Sequence, residues 1–309
     1  MRRRISQWFF YPESDQWISI LRVGVAIQLI GLLISVRADW SQLLSSGGHA
    51  FVSRDLNEAL LSLESQLIPR IGWLVDAAKR VGIGEQAALE WCWYFLALLS
   101  GLLLIGLFCR FTAVLTWFVY LAAVNSGGYL TYGVDALTTT GLFYLMLSPL
   151  PDRLSLDHRW WKKSPGDPCL LGFWRRVLQI HLCLIYFFSG VTKALGSGWW
   201  DGANLWRALT RPPFDIISPD ILVHFKYVYP IAGIGIWLLE IGYPFFTWQR
   251  QLRRPWLIAI LVMHVGIGLA MGMYLFASVM VVLNLAAFGP GIVFSVDSPS
   301  TEAKRVIVP

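Results

Sequence analysis

Seven ionisable residues lie inside or at the ends of stretches that are otherwise apolar: Arg22, Glu90, Asp135, His181, Lys193, Glu240 and His264. A charge at the centre of a bilayer costs about 2.5 to 3.5 kcal/mol on insertion scales, so each such residue requires a partner or a task. Lys193 is the most informative. It closes the string Tyr186-Phe187-Phe188-Ser189-Gly190-Val191-Thr192-Lys193, in which Tyr186, Ser189 and Lys193 fall on one helical face. Two readings stand beside each other. In one, the ammonium snorkels to the interface. In the other, the amine sits in an apolar pocket where loss of water leaves a neutral base or nucleophile. They predict opposite protonation at neutral pH.

Directly after the lysine comes Gly196-Ser197-Gly198-Trp199-Trp200-Asp201-Gly202-Ala203, then Trp206 and Arg207. The glycines permit a tight turn back to the bundle, while Trp199 and Trp200 either anchor the interface or wall a pocket for a flat ring. Asp135 follows Tyr132-Gly133-Val134 and opens an apolar run. It is placed to cap a helix, or to pair with Lys193 at similar depth. A second group, Arg22, His181, Glu240 and His264, falls about seven to nine residues from the opposite end of its spans, hence at a common depth. A buried Arg22–Glu240 pair is the simplest expectation, with proton transfer as the functional alternative. No H-x-x-x-H or other fixed ligand spacing occurs, so no metal is expected. Cys92, Cys109, Cys169 and Cys183 form no C-x-x-C pair, which argues against a disulfide framework. A G-x-S-x-G elbow, a P-loop and a dinucleotide fingerprint are all missing, so nucleotide-driven chemistry has no support.

The elements that must position these residues are membrane helices. Of 309 residues, 56% are hydrophobic and 14% charged, with a mean hydropathy of +0.57; soluble domains carry about 25% charged residues. Aromatic residues make up 15%, including 16 Trp, as suits a chain with two bilayer interfaces. The net charge of +6 does not call for nucleic acid, because Lys and Arg accumulate in cytoplasmic loops for reasons of insertion.

An all-α, polytopic bundle of about eight spans is expected, at 17–36, 87–108, 111–125, 133–150, 174–195, 227–247, 255–274 and 275–294. The third is short and the last two nearly abut, so seven spans or a re-entrant hairpin is the alternative. Loop charge sorts alternately along this scheme. It puts both termini in the cytoplasm and the sparsely basic loops 37–86 and 196–226 outside. The chain thus divides into a basic N-terminus, 1–16, a transmembrane domain, 17–294, and a C-terminal tail, 295–309. The first span lacks a small-x-small cleavage pattern and is expected to be retained. Within loop 37–86, Leu56 to Ala78 has helical periodicity and reads as a surface helix capping the bundle.

The string ending in Lys193, followed by Trp199, resembles the segment of the catalytic lysine in vitamin K-dependent gamma-carboxylases. The whole chain is similar to their membrane portion, the horizontally transferred transmembrane (HTTM) domain that also occurs as stand-alone bacterial proteins. Supporting matches are Tyr132-Gly133-Val134-Asp135, His181 ahead of the lysine, Glu240 with Pro244, and His264 before Phe276-Ala277-Ser278-Val279-Met280. The likeness covers nearly all of residues 10–294. It implies a bacterial cytoplasmic membrane protein in which Lys193, as a free amine, deprotonates a vitamin K-type hydroquinone such as menaquinol. Oxygen and carbon dioxide are then co-substrates in the carboxylation of a peptide glutamate. Trp199, Trp200, Tyr186 and Ser189 would line the pocket, Arg207 would stabilise negative charge and Asp135 would orient a partner. The chain departs from the family in three ways. About fifteen residues follow Phe294 where the carboxylases carry a large substrate-gripping region, Thr192-Lys193 replaces a double lysine, and Asp135 stands near the place of a functional histidine.

Two functional expectations follow. One is a carboxylase-like membrane enzyme acting on a peptide or small substrate at an outward pocket formed by the fourth, fifth and sixth spans. The other, since bacterial relatives include proteins that help mature a secreted toxin, is a non-enzymatic maturation factor for a secreted or periplasmic peptide. Transport is weaker, because no inverted repeat is apparent.

Overall fold

A computed structural model describes residues 2–47, 50–128 and 131–290, and among these every regular element is helical. A short helix, α1 (Arg2–Phe9), precedes α2 (Gln16–Ser35). Three small helices follow: α3 (Trp40–Leu44), α4 (Arg54–Glu64) and α5 (Gly72–Arg80). Then come α6 (Glu85–Ile105), α7 (Cys109–Gly127), α8 (Gly133–Leu147) and the one-turn α9 (Leu156–Trp161). The long α10 (Pro168–Leu195) is followed by α11 (Ser197–Trp200), α12 (Ala203–Thr210), α13 (Pro219–Leu222), α14 (Val228–Phe246), α15 (Arg253–Met271) and α16 (Tyr274–Phe288). The expected tail, 295–309, lies outside the described residues.

Five helices, α2, α6, α10, α14 and α15, are long and apolar enough to cross a membrane, while α8 and α16 are apolar but shorter. The chain is an integral membrane protein. Each of the eight expected spans coincides with one helix to within a few residues at most boundaries. Two boundaries differ more: α16 ends at Phe288 rather than near 294, and α10 begins at Pro168 rather than near 174. Its start is set by chemistry that the apolar pattern does not show: Asp167 caps it by accepting from the N–H of Cys169 and Leu170, and Pro168 occupies the first turn.

The core is built around α2, which packs against α6, α8 and α16. Trp17, Leu21, Val25 and Leu29 form its wholly buried face, while Ile27 and Ile34 are exposed, so the helix is apolar toward both the core and the outer side. A second group pairs α10 with α14, and α15 with α16. At the end bearing the long loops, residues 37–47 and 50–84 fold back over the bundle. Glu58 accepts from Ser126 Oγ of α7 at 2.6 Å and from the Gly72 N–H at 2.9 Å, and Arg54 pairs with Glu85 at 2.8 Å. The single surface helix expected at 56–78 is instead two, α4 and α5. Pro69 lacks an N–H and disfavours helix at Ile68, and Ser65 Oγ takes the Leu67 N–H in a turn of its own.

At the opposite end the expected Arg22–Glu240 pair does not form. Arg22 is fully buried and bonds Asp152 at 2.5 Å, and its Nη1 donates to the carbonyls of Leu103 and Leu104 at 2.7 and 2.6 Å. It therefore ties the end of α6 to the 148–155 loop and satisfies carbonyls that the helix end leaves open. Beside it, Asp157 accepts from the N–H of Phe108 and Cys109, at 2.8 Å each, and closes the start of α7.

Candidate functional site

Lys193 lies in the last turn of α10, and its position is decided by how closely α10 meets α14. Gly190 sits at the crossing. A Cβ there would stand 2.8 Å from the backbone nitrogen of Ile241 and 3.0 Å from the Cβ of Glu240. One turn on from that contact, Lys193 Nζ reaches Glu240 Oε2 at 2.8 Å and Oε1 at 3.1 Å. It also donates to Ser189 Oγ at 2.5 Å and lies 5.3 Å from the Trp199 ring centroid. The lysine side chain is 20% exposed and the glutamate 7%. Pro244, within α14, removes the N–H that would pair the Glu240 carbonyl in the helical ladder, so the backbone is locally loosened where the carboxylate projects.

α11 lies across the start of α14. The backbone of Trp199 rests on Gly233, where any side chain would collide with the Trp199 carbonyl. That contact fixes the Trp199 ring over the amine. Trp200 donates Nε1–H to the Ala194 carbonyl at 2.8 Å, and its ring meets that of Trp237 at 5.0 Å. Trp237, three residues before Glu240 on the same face of α14, is absent from the sequence-based set. Its Nε1 is buried without a partner among the described residues. The signal was available: an aromatic residue one turn from an intramembrane carboxylate.

Behind the ion pair runs a buried polar chain. Tyr243 OH donates to Asn284 Oδ1 at 2.7 Å. The Asn284 amide nitrogen donates to the Met280 carbonyl at 2.8 Å and to Tyr186 OH at 2.7 Å. Since a backbone carbonyl only accepts, the amide orientation is fixed, and Tyr186 OH is also in hydrogen-bond contact with His264 Nε2, 2.8 Å away. The other ring nitrogen of His264, Nδ1, is buried without a partner among the described residues. Tyr243 and Asn284 were likewise missed, because neither a tyrosine nor an asparagine in an apolar run announces its partner.

The structure thus brings together Lys193, Ser189, Glu240, Trp199 and Trp200, with Tyr186 and His264 in the hydrogen-bonded chain behind them, and separates the rest of the expected set. His181 is not in one cluster with Arg22, Glu240 and His264; its Nδ1 is 3.1 Å from Tyr144 OH. Asp135 does not pair with Lys193. It holds the start of α8, accepting from the Tyr132 N–H at 2.9 Å and from Tyr120 OH at 3.0 Å. Arg207, on α12, is exposed and is not bonded to Lys193 or Glu240. Depth counted from the helix ends misplaced Glu240: α10 and α14 pack closely, but the carboxylate meets Lys193 in the last turn of α10 and not His181 twelve residues earlier on the same helix, because the two helices are offset along their axes.

Two cavities stand out among the described residues. One, of about 150 Å³, lies between α2, α3, α7 and α8 with Trp40, Tyr120 and Asp135 in its wall. At its rim, burial and then the Asp135 carboxylate raise the Tyr132 phenol above its ordinary value. The other, of about 240 Å³, is a surface notch lined by Asp201, Trp206, Lys226 and Tyr229. Lys193 lines neither, and α8, expected to wall its pocket, instead walls the first cavity. Comparison with family models, curated proteins and solved structures finds no match to this chain.

Proposed function

We propose that this chain is a carboxylase-like enzyme of the HTTM type in a bacterial cytoplasmic membrane, with Lys193 as base toward a lipid quinol such as menaquinol. Its substrate in this reading is a peptide or small molecule, with oxygen and carbon dioxide as co-substrates. The observation that carries the reading is the Lys193–Glu240 pair: an intramembrane amine with a proton acceptor already in contact. As an ion pair, Nζ cannot act as a base. Covering it with an apolar ring removes water, and low polarity favours two neutral groups over two charged ones. The proton then passes from Nζ to Glu240 Oε2, leaving an amine lone pair that Ser189 Oγ helps to aim.

The residues present match the chemistry of a flat, oxygen-bearing ring, which would have to part the Trp200–Trp237 contact to reach the amine, since neither cavity touches Lys193. Trp199 and Trp200 provide faces, and the unpartnered Trp237 Nε1–H is a donor for a ring oxygen. A hydroquinone, when bound, supplies the electrons for oxygen reduction. The chain's own task is to take the phenolic proton at Lys193 Nζ and to hold the ring against the tryptophans. The topology belonging to this reading has eight crossings, both termini in the cytoplasm and the site on the outer side. It is supported by a helix at each expected span, by the short connections after α6, α7 and α15, and by the loop charge.

Purified parent protein should show quinol-dependent oxygen uptake that Lys193→Ala and Glu240→Gln both abolish. Equal rates in the lysine variant remove Lys193 from the mechanism. The second reading, a non-enzymatic maturation factor for a secreted peptide, is favoured by one observation: Glu240, Ser189 and Trp199 already satisfy Lys193, and neither cavity touches it. It predicts a co-purifying peptide, no bound quinone, and maturation that survives Lys193→Ala.

A further inference from the structure

Where α1 meets the first turns of α10 and the start of α15, positive charge is gathered beyond what its partners neutralise. Glu13 reaches Arg175 Nη1 at 2.6 Å and Arg176 Nη2 at 3.7 Å. Arg253 opens α15 five residues after Trp248, the ring that lies against Arg176, and its Nε donates to the neutral Thr247 carbonyl at 2.8 Å. Arg175 and Arg176 thus share one carboxylate, and among the described residues Arg250 and Arg253 have no acidic side chain within 4 Å.

The cluster is held by an aromatic frame. The Arg176 guanidinium lies 5.1 Å from the Trp8 centroid and 5.6 Å from that of Trp248, and these rings are 5.4 Å apart. Phe10 stacks on Phe173 at 5.1 Å and pins the chain just after α1 to α10. Arg176 Nε is buried without a partner among the described residues, while Arg250 is exposed. Loop arginines kept only for insertion gain nothing from being packed side by side, where they repel. Guanidiniums fixed in a frame with donors to spare form a receptor for a phosphate group.

We propose that this cluster is a headgroup site for an anionic phospholipid, with Arg176, Arg250 and Arg253 on the phosphate. A lipid rather than soluble phosphate is indicated by place. The cluster sits at the ends of membrane-length helices, and Phe245 and Leu252, which flank it in the chain, expose 57% and 37% of their surface. This offers acyl chains an apolar seam beside the charge.

The test titrates detergent-solubilised full-length protein with phosphatidylglycerol or with phosphatidylcholine of the same acyl chains, followed by native mass spectrometry and thermal melting. Phosphatidylglycerol should bind saturably and raise Tm, and phosphatidylcholine should do neither at the same mole fraction. The exposed Arg250→Gln should weaken phosphatidylglycerol binding about fivefold, and Arg250→Gln/Arg253→Gln about 25-fold. Equal binding of the two lipids, undiminished binding by both variants, or displacement of the lipid by millimolar inorganic phosphate overturns the proposal.

Discussion

A lysine and a glutamate placed 2.8 Å apart between two helices are coupled more tightly than either is to the rest of the chain. Removing one leaves the other charged and poorly solvated, which is costlier than removing both. Glu240→Gln should therefore lower stability in detergent by about 1 to 3 kcal/mol. This is less than for a fully enclosed pair, since the lysine side chain is 20% exposed. The double variant Lys193→Met/Glu240→Met should recover a substantial part of the loss. Melting curves of the parent, both single variants and the double variant decide it; additive losses would mean the two groups do not interact. The same residues connect stability to the proposed chemistry, because the contact that holds the ammonium is also the route by which its proton leaves.

Among the elements, the α10/α14 crossing does most to define the site. It depends on the missing side chain at Gly190, with the Ile241 backbone in the way. Gly190→Ala should force the helices apart and destabilise the protein by about 1 to 3 kcal/mol. Gly235→Ala is the control on the same pair of helices. A Cβ there meets nothing within 4 Å, and alanine's better helix propensity should leave stability unchanged or raise it by up to about 1 kcal/mol. If both variants melt alike, close approach is not what sets the crossing. The crossing also explains the neighbouring elements: α11 can lie on α14 only where Gly233 leaves room, and so Trp199 arrives over the amine.

For the whole molecule, the decisive matter is which helices cross the bilayer. With eight crossings, the connection between α7 and α8 faces the side opposite to the start of α10. In a Cys169→Ser background, Thr131→Cys should react with a membrane-impermeant maleimide added to intact cells. Native Cys169, exposed at the start of α10, should react only after the membrane is opened. Cys92, Cys109 and Cys183 are buried and should stay silent in both. Protection of Thr131→Cys in intact cells would turn α7 and α8 into a hairpin that does not cross.

By itself, the sequence determined that this chain is a helical membrane protein and where its long helices run. Hydropathy and periodicity are local properties, summed over about 20 residues, and neighbours cannot override them in a bilayer, where backbone groups must be satisfied within the helix. It also singled out Lys193, Glu240 and His264, because an ionisable group in an apolar run stands out whatever surrounds it, and Tyr186 through its shared helical face with the lysine, while Trp237, Tyr243 and Asn284 passed unmarked. Tertiary structure alone decided the pairings. Arg22 found Asp152 rather than Glu240, Glu240 found Lys193, and Asp135 found the start of its own helix. Partner choice depends on which helices are adjacent and how they are rotated about their axes. Packing at small residues such as Gly190 and Gly233 sets both, and the spacing of residues along one chain carries no direct record of it.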